Sequence, residues 1–278
     1  MRLRKLLAKS LRDQRFQVAG FGLALGLMAA LVVFLWPAYR DQLQLIELPP
    51  AVQALLGNDL DFRTAAGFVN AEYFTWTPVL LIVYAITQGT GAIAGEESAG
   101  TADLLLAQPV RRGELVLVRT ASAIAGMVAV VAIGYSGFLL SIPFVSIDLT
   151  LWDALLGCVN LLPLGLFFYA LSLWLGAVAP GRVHAVGVAT AVATFAFFTD
   201  TVAAGVEEVR WIRYGSPYYY FGRGLPLVEG IDWAHAAVLL GLAALFVGLA
   251  LRAFERRDVT PGGATNLTFA DVMRRVAG

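Results

Sequence analysis

Apolar residues in this chain do not alternate with polar ones; they run together, in windows at about 18–39, 73–94, 115–142, 154–178, 183–202 and 233–253. A hydrocarbon core of about 30 Å takes roughly 20 helical residues to cross, and every window is near or above that length. A backbone in lipid must satisfy its own hydrogen bonds, and a continuous apolar run does so as a helix, whereas a barrel strand would alternate in roughly ten-residue blocks. The pattern therefore predicts an all-α polytopic membrane protein with six transmembrane helices, forming one transmembrane domain over 1–278. Composition agrees: 59% of the 278 residues are hydrophobic and 14% charged, against roughly 45–50% and about 25% in a soluble domain.

The polar remainders set the orientation. Six spans put both termini on one side. With the termini inside, the inner segments hold Arg2, Arg4, Lys5, Lys9, Arg12, Arg15, Arg111, Arg112, Arg119, Arg182, Arg252, Arg256, Arg257, Arg274 and Arg275, which is 15 of the 20 basic residues. The positive-inside rule then predicts cytoplasmic termini. Leu3, Leu6, Leu7 and Leu11 recur at helical spacing among the first basic residues. Two readings fit them, an amphipathic helix lying in the headgroup layer and a simple basic anchor. Val18 to Trp36 is longer than the roughly 7–15 apolar residues of a signal peptide, so it is expected to remain as a span.

Two outer segments are long. Residues 40–72 contain "LPPAVQALLG", read as a short helix started at Pro49 or Pro50 and stopped at Gly57. Residues 200–232 carry Trp211, Tyr214, Tyr218, Tyr219 and Tyr220, expected to anchor the chain at the membrane interface as an aromatic belt. The single cysteine, Cys158, falls inside the fourth span and is expected to pack as a small apolar residue.

Several chemistries are missing. No GxxxxGK[ST] run is present to cradle nucleotide phosphates. Ion-coupled transport usually keeps ionisable groups near the bilayer midplane, but here Asp200, Asp232 and His235 fall at outer span ends and Arg119 near an inner one. The two histidines and four methionines are scattered, so no metal site is predicted, and nothing calls for a cofactor or a nucleic-acid partner. One catalytic pattern stands out: "GYSG" at Gly134 to Gly137 resembles the motif of rhomboid intramembrane proteases, in which Ser136 would be the nucleophile and His235 its general base. No glycine follows His235 at the spacing of that family, and the first loop shows no Trp-Arg pair. The alternative is structural, with Gly134 and Gly137 allowing close helix approach and Ser136 bonding a neighbour.

The densest polar stretch is "GEESAGTADLLLAQPVRRGELVLVR", Gly95 to Arg119, between the second and third windows. Ser98 or Thr101 can cap a helix, Asp103 suits its first turn, Leu104, Leu105 and Leu106 give it an apolar face, and Pro109 ends it. Arg111 and Arg112 then open the next span. The residues alone fit either a turn whose leucines dip into the interface or a docking helix at 95–113 gripped by a cytoplasmic partner.

This segment resembles the cytoplasmic signature of type 2 ATP-binding-cassette (ABC) transporter permeases: Gly95, Glu96, Glu97, Gly100, Thr101, Leu104, Leu105, Pro109, Val110 and Arg112 stand at the places of the family's Gly-Glu-Glu-x-x-Gly-Thr run, leucine-rich helix and Pro-Val-x-Arg. The basic start, the long first outer loop, "SPYYYFGRGLPLVEG" and "FERRDV" extend the likeness over nearly the whole chain. The resemblance implies a permease in a bacterial-type inner membrane, paired with a second permease copy and with separate ATPase subunits that bind ATP and Mg. It implies that Leu104, Leu105 and Leu106 fill a groove in the ATPase, while Glu96, Glu97, Arg111 and Arg112 meet its charged rim. Export of a hydrophobic or amphipathic substrate is the expected activity, with no catalytic residue in this chain. Small residues that let backbones approach, Gly22 and Gly26 in the first span and Ala185, Ala189 and Ala193 in the fifth, are expected at the dimer contact. A membrane scaffold that transports nothing is the remaining alternative.

Overall fold

The computed structural model of the chain describes residues 2–43, 63–98, 112–205, 207–222 and 225–256. They form nine α-helices with shorter 3-10 and π turns, and no strand occurs among the described residues. The helices are α1 (Arg2–Asp13), α2 (Arg15–Leu43), α3 (Ala65–Val69), α4 (Thr77–Ser98), α5 (Arg112–Ser141), α6 (Leu151–Val178), α7 (Arg182–Gly205), α8 (Pro217–Phe221) and α9 (Trp233–Arg256). Six stretches are long and apolar enough to cross a membrane: Arg15–Leu43, Ala65–Ile93, Gly113–Phe144, Leu151–Val178, Arg182–Ala203 and Trp233–Glu255. Each corresponds to one predicted window.

The second span starts earlier than its apolar window suggested. Thr64 caps α3 by accepting the Gly67 N–H at 3.1 Å, and the helix then widens into a π turn over Asn70–Phe74, where the Thr75 N–H reaches back to Asn70 O at 3.1 Å. Pro78 explains the irregularity. It has no N–H to give the Phe74 carbonyl, so the ladder must shift register before α4 resumes. The N-terminus of α6 is set by a capping box: Thr150 Oγ1 accepts the Asp153 N–H at 3.1 Å, and Asp153 accepts the Thr150 N–H at 3.2 Å.

α6 is the central helix, in contact with α4, α5, α7 and α9, while α2 lies along α5. Centrality follows from composition. Leu161, Leu164, Phe168, Leu173 and Cys158 on α6 are all essentially buried, whereas α2, α7 and α9 each keep an apolar face exposed, with Leu27, Phe195 and Leu245 among its members. Such faces meet lipid tails or another membrane helix without penalty. Close crossings are made by glycine: a Cβ on Gly137 would lie 2.0 Å from the Gly26 carbonyl oxygen, and one on Gly89 would lie 2.5 Å from the Tyr169 carbonyl oxygen.

The segment after α7 is more ordered than a belt of anchors. It winds through 3-10 turns at Glu207–Gly215 and Leu225–Leu227 around α8. Trp211 and Tyr214 are exposed as expected, but Tyr218 is a correction: it is 3% exposed, packed against Phe197 and Phe168 with centroids 5.5 and 6.2 Å away. Ser216, at the helix N-cap, bonds Ala196 O at 2.8 Å and turns that ring inward. "LPPAVQALLG" and the tail after Arg256 lie outside the described residues.

Candidate functional site, a polar hub at the terminal end of the bundle

α1 forms over the residues where the leucine spacing predicts a helix, yet its packed side is polar. Leu3 and Leu11 are exposed, Leu6 and Leu7 half-buried, and the buried positions are Ser10 and Gln14, at i and i+4 on one face. Gln14 sits where α1 gives way to α2. Its Nε2 donates to Ser122 O at 2.8 Å and to Ser122 Oγ at 3.1 Å on α5, and its Oε1 accepts from Tyr84 Oη at 3.1 Å on α4. One side chain thereby ties three helices together.

The sequence makes room for it. A Cβ on Gly126 would stand 2.2 Å from Tyr84 Oη and 2.8 Å from Gln14 Oε1, so only glycine lets both groups reach this spot. Around this core, Arg119 Nη1 donates to Ser10 Oγ at 3.2 Å, Gln88 Nε2 donates to Gln17 Oε1 at 2.6 Å, and Tyr169 Oη donates to Thr120 Oγ1 at 3.3 Å. Ser10, Asp13, Gln14, Gln17, Thr87, Gln88, Arg119 and Arg182 line a cavity of about 200 Å³ with Gly91 and Ala92. Arg182 opens α7 and leans over Gly91: a Cβ there would be 3.5 Å from Arg182 Nη2.

The hub joins α1, α2, α4, α5 and α6, with Arg182 of α7 over its cavity, at the end where α4 stops and α5 begins. A family model described as ABC-2 family transporter protein matches residues 3–259 of the chain. The chain belongs to the ABC-2 transporter family. It is a membrane-spanning permease subunit of an ABC transporter, and membership implies association with an ABC ATPase subunit. No curated protein matches the sequence.

The expected docking residues of the permease lie mostly beyond description. Glu96 and Glu97 are in the last turn of α4 and Arg112 starts α5, while Gly100, Thr101, Leu104, Leu105, Leu106 and Arg111 lie outside the described residues. The small residues expected at a dimer contact are placed inside the subunit. Gly22 and Gly26 face Ile133 of α5, and Ala185, Ala189 and Ala193 are 0%, 0% and 8% exposed, so their smallness serves packing within this chain.

Ser136 and His235 are not brought into a catalytic pair. Ser136 Oγ donates to Ile133 O at 2.6 Å within its own helix, and His235 Nδ1 faces Asp232 at 3.5 Å with Tyr219 and Tyr220 beside its ring. The nucleophile-to-base hydrogen bond that activates serine is absent between these described residues. The sequence reading passed over Gln14, Gln17, Gln88 and Ser122. Only Gln14 among these amides is buried, and although a buried amide needs partners, its partners on α4 and α5 are distant in sequence and no local pattern names them.

Proposed function

We propose that this permease is the membrane half of an exporter for hydrophobic or amphipathic molecules, driven through its 95–113 segment by a separate ATPase that binds ATP and Mg. The observation that supports it best is the hub. The segment joins α4 to α5, and both helices are fastened to the α1–α2 elbow through Tyr84, Ser122 and Gln14. A push on the segment by a closing ATPase would reach the elbow directly, and the mostly uncharged spans would offer an apolar route to the cargo. In this reading the termini are cytoplasmic, α1 lies in the inner headgroup layer with Leu3 and Leu11 toward lipid, and the membrane is a bacterial-type inner membrane.

A second copy of the permease would complete the pathway. The exposed flank of α7 supports its placement: His184, Gly187, Thr190, Ala191 and Thr194 are exposed beside the buried Ala185, Ala189 and Ala193. Gly187 and Ala191 have the small-x-x-x-small spacing of membrane helix pairs, and threonine hydroxyls can bond across such a contact.

The test is reconstitution of the permease with a candidate ABC ATPase subunit. Reversing Glu96 and Glu97 to lysine should abolish co-purification and substrate-stimulated ATP hydrolysis. Unchanged co-purification and unchanged stimulation would overturn the docking role, and failure of any ATPase to co-purify with the unaltered chain would favour a scaffold.

A further inference from the structure

The hub cavity is more than a seam between helices. At about 200 Å³ it is far above the roughly 10–15 Å³ that one water requires. Its lining includes two guanidinium groups, from Arg119 and Arg182, one carboxylate from Asp13, and the amides and hydroxyls of Gln17, Gln88 and Thr87. The charges sum to +1, from two arginines and one aspartate. A monoanion therefore neutralises the lining, while a dianion would leave it negative.

The surroundings of the cavity are apolar. Phe16, next to Gln17, is 75% exposed, and Val183, next to Arg182, is 83% exposed. Val83, one turn before Thr87, is also exposed. A polar, singly positive recess between exposed apolar side chains matches an amphipathic ligand whose polar part is a monoanion. It also lies at the ends of the spans, level with α1, where a bilayer places its phosphates.

We infer that this cavity binds the phosphodiester of an anionic membrane lipid, with Arg182 and Arg119 donating to the phosphate oxygens, Gln17 and Gln88 to the rest of the headgroup, and Phe16 and Val183 flanking the first acyl carbons. Arginine suits the task because its planar fork donates two parallel bonds to one phosphate. Arg119 keeps its bond to Ser10 in this arrangement, so a bound lipid would lie directly against the hub. The inference concerns the permease alone and does not depend on the ATPase or on the cargo.

The experiment uses the full-length permease in detergent with three probes: dioctanoyl phosphatidylglycerol, dioctanoyl phosphatidylethanolamine and free glycerol phosphate, read by native mass spectrometry and by the shift in thermal unfolding. Phosphatidylglycerol should bind and stabilise, phosphatidylethanolamine should do so more weakly, and glycerol phosphate should do neither at the same concentration. Arg182→Gln should weaken phosphatidylglycerol binding roughly tenfold or more, the usual scale for losing a charge-assisted hydrogen bond. Arg12→Gln, on the exposed side of α1, should change it by less than about threefold, as expected of a screened surface charge. Arg182→Gln is half-buried at a helix start and is expected to fold, which its unfolding temperature without lipid will verify. Equal binding by Arg182→Gln and the parent chain, or equal losses for Arg12→Gln and Arg182→Gln, would overturn the site. Equal stabilisation by glycerol phosphate would overturn the lipid in favour of a soluble anion.

Discussion

The two ends of the bundle are fastened by different chemistry. At the terminal end, neutral amides and hydroxyls centred on Gln14 link α1, α4 and α5 beside an open cavity. At the opposite end, Asp200 is fully buried and paired with Arg213 at 3.0 Å, Asn160 Nδ2 donates to Phe221 O at 2.5 Å, and the rings of Phe168, Phe197 and Tyr218 fill the space between. A neutral hydrogen bond contributes about 0.5–1.5 kcal/mol net. Breaking a buried ion pair costs about 3–5 kcal/mol because the remaining charge is stranded. The terminal end is thus held by the weaker bonds, and the opposite end holds its segment closed over α6 and α7 by the stronger.

The largest expected effect lies between the two ends, at the α2–α5 crossing that connects them. Gly137→Ala would set a methyl 2.0 Å from the Gly26 carbonyl oxygen, a backbone atom that can yield only if a whole helix moves. We expect a loss of about 3 kcal/mol, the upper range for overpacking, seen as a marked fall in unfolding temperature in detergent. Gly20→Ala is the matched control, since a Cβ there meets nothing within 4 Å; it should be neutral or slightly stabilising. Equal behaviour of the two variants would mean that α2 and α5 are not locked together.

Next in size is Asp200→Asn. The side chain of Arg213 is 20% exposed and Asp200 is not exposed at all, so the cation keeps partial access to water and the cost falls below that of a fully sealed pair. About 1.5–3 kcal/mol is expected, the range for a hydrogen bond to a charged group. The double variant Asp200→Leu with Arg213→Met should recover much of that loss, as replacing both partners removes the stranded charge. If the single variant cost nothing, the contrast between a clamped opposite end and a more weakly tied terminal end would fail.

The contrast was only half legible in the sequence. Spans could be read because a run such as Leu151 to Val178 has one stable form in lipid, and all six windows became helices. The early start of the second span escaped, because the segment from Ala65 carries Asn70, Glu72 and Thr75 and its helical course depends on the π turn before Pro78. Gln14 looked like a polar residue preceding a span, since nothing local reveals that Tyr84 and Ser122, 70 and 108 residues away, converge on it. Small residues are ambiguous for a related reason: Gly26 and Ala189 announce a close helix contact, but periodicity does not say whether the neighbour belongs to the same chain.

A smaller effect is expected from Gln14→Leu. The change removes three hydrogen bonds between neutral groups and leaves the buried Ser122 and Tyr84 without that partner, so the net cost should be roughly 1–2 kcal/mol. Ser122→Ala alone should cost less, and the double variant less than the sum of the two, because both act on one network. Full additivity, measured by the same unfolding assay, would show that the hub is a set of separate contacts.

The smallest effect tests the end opposite the termini where it is most exposed. Asp232 begins α9, accepting from the Ala234 N–H at 2.9 Å and the His235 N–H at 3.1 Å. The His235 backbone bond holds its carboxyl below the ordinary value of 3.8. A depressed folded-state value means that the ionised cap stabilises the helix start at all pH above the unfolded value, and that this contribution disappears as pH falls through the lower, folded one. Amide exchange at Ala234 and His235, corrected for its intrinsic pH dependence, should therefore accelerate only in strong acid. In Asp232→Ala the same amides should exchange rapidly at every pH, because no carboxylate remains to accept them. The Asp200–Arg213 pair should be untouched by this variant, so an accompanying loss of global stability would show that the first turn of α9 is coupled to that ion pair.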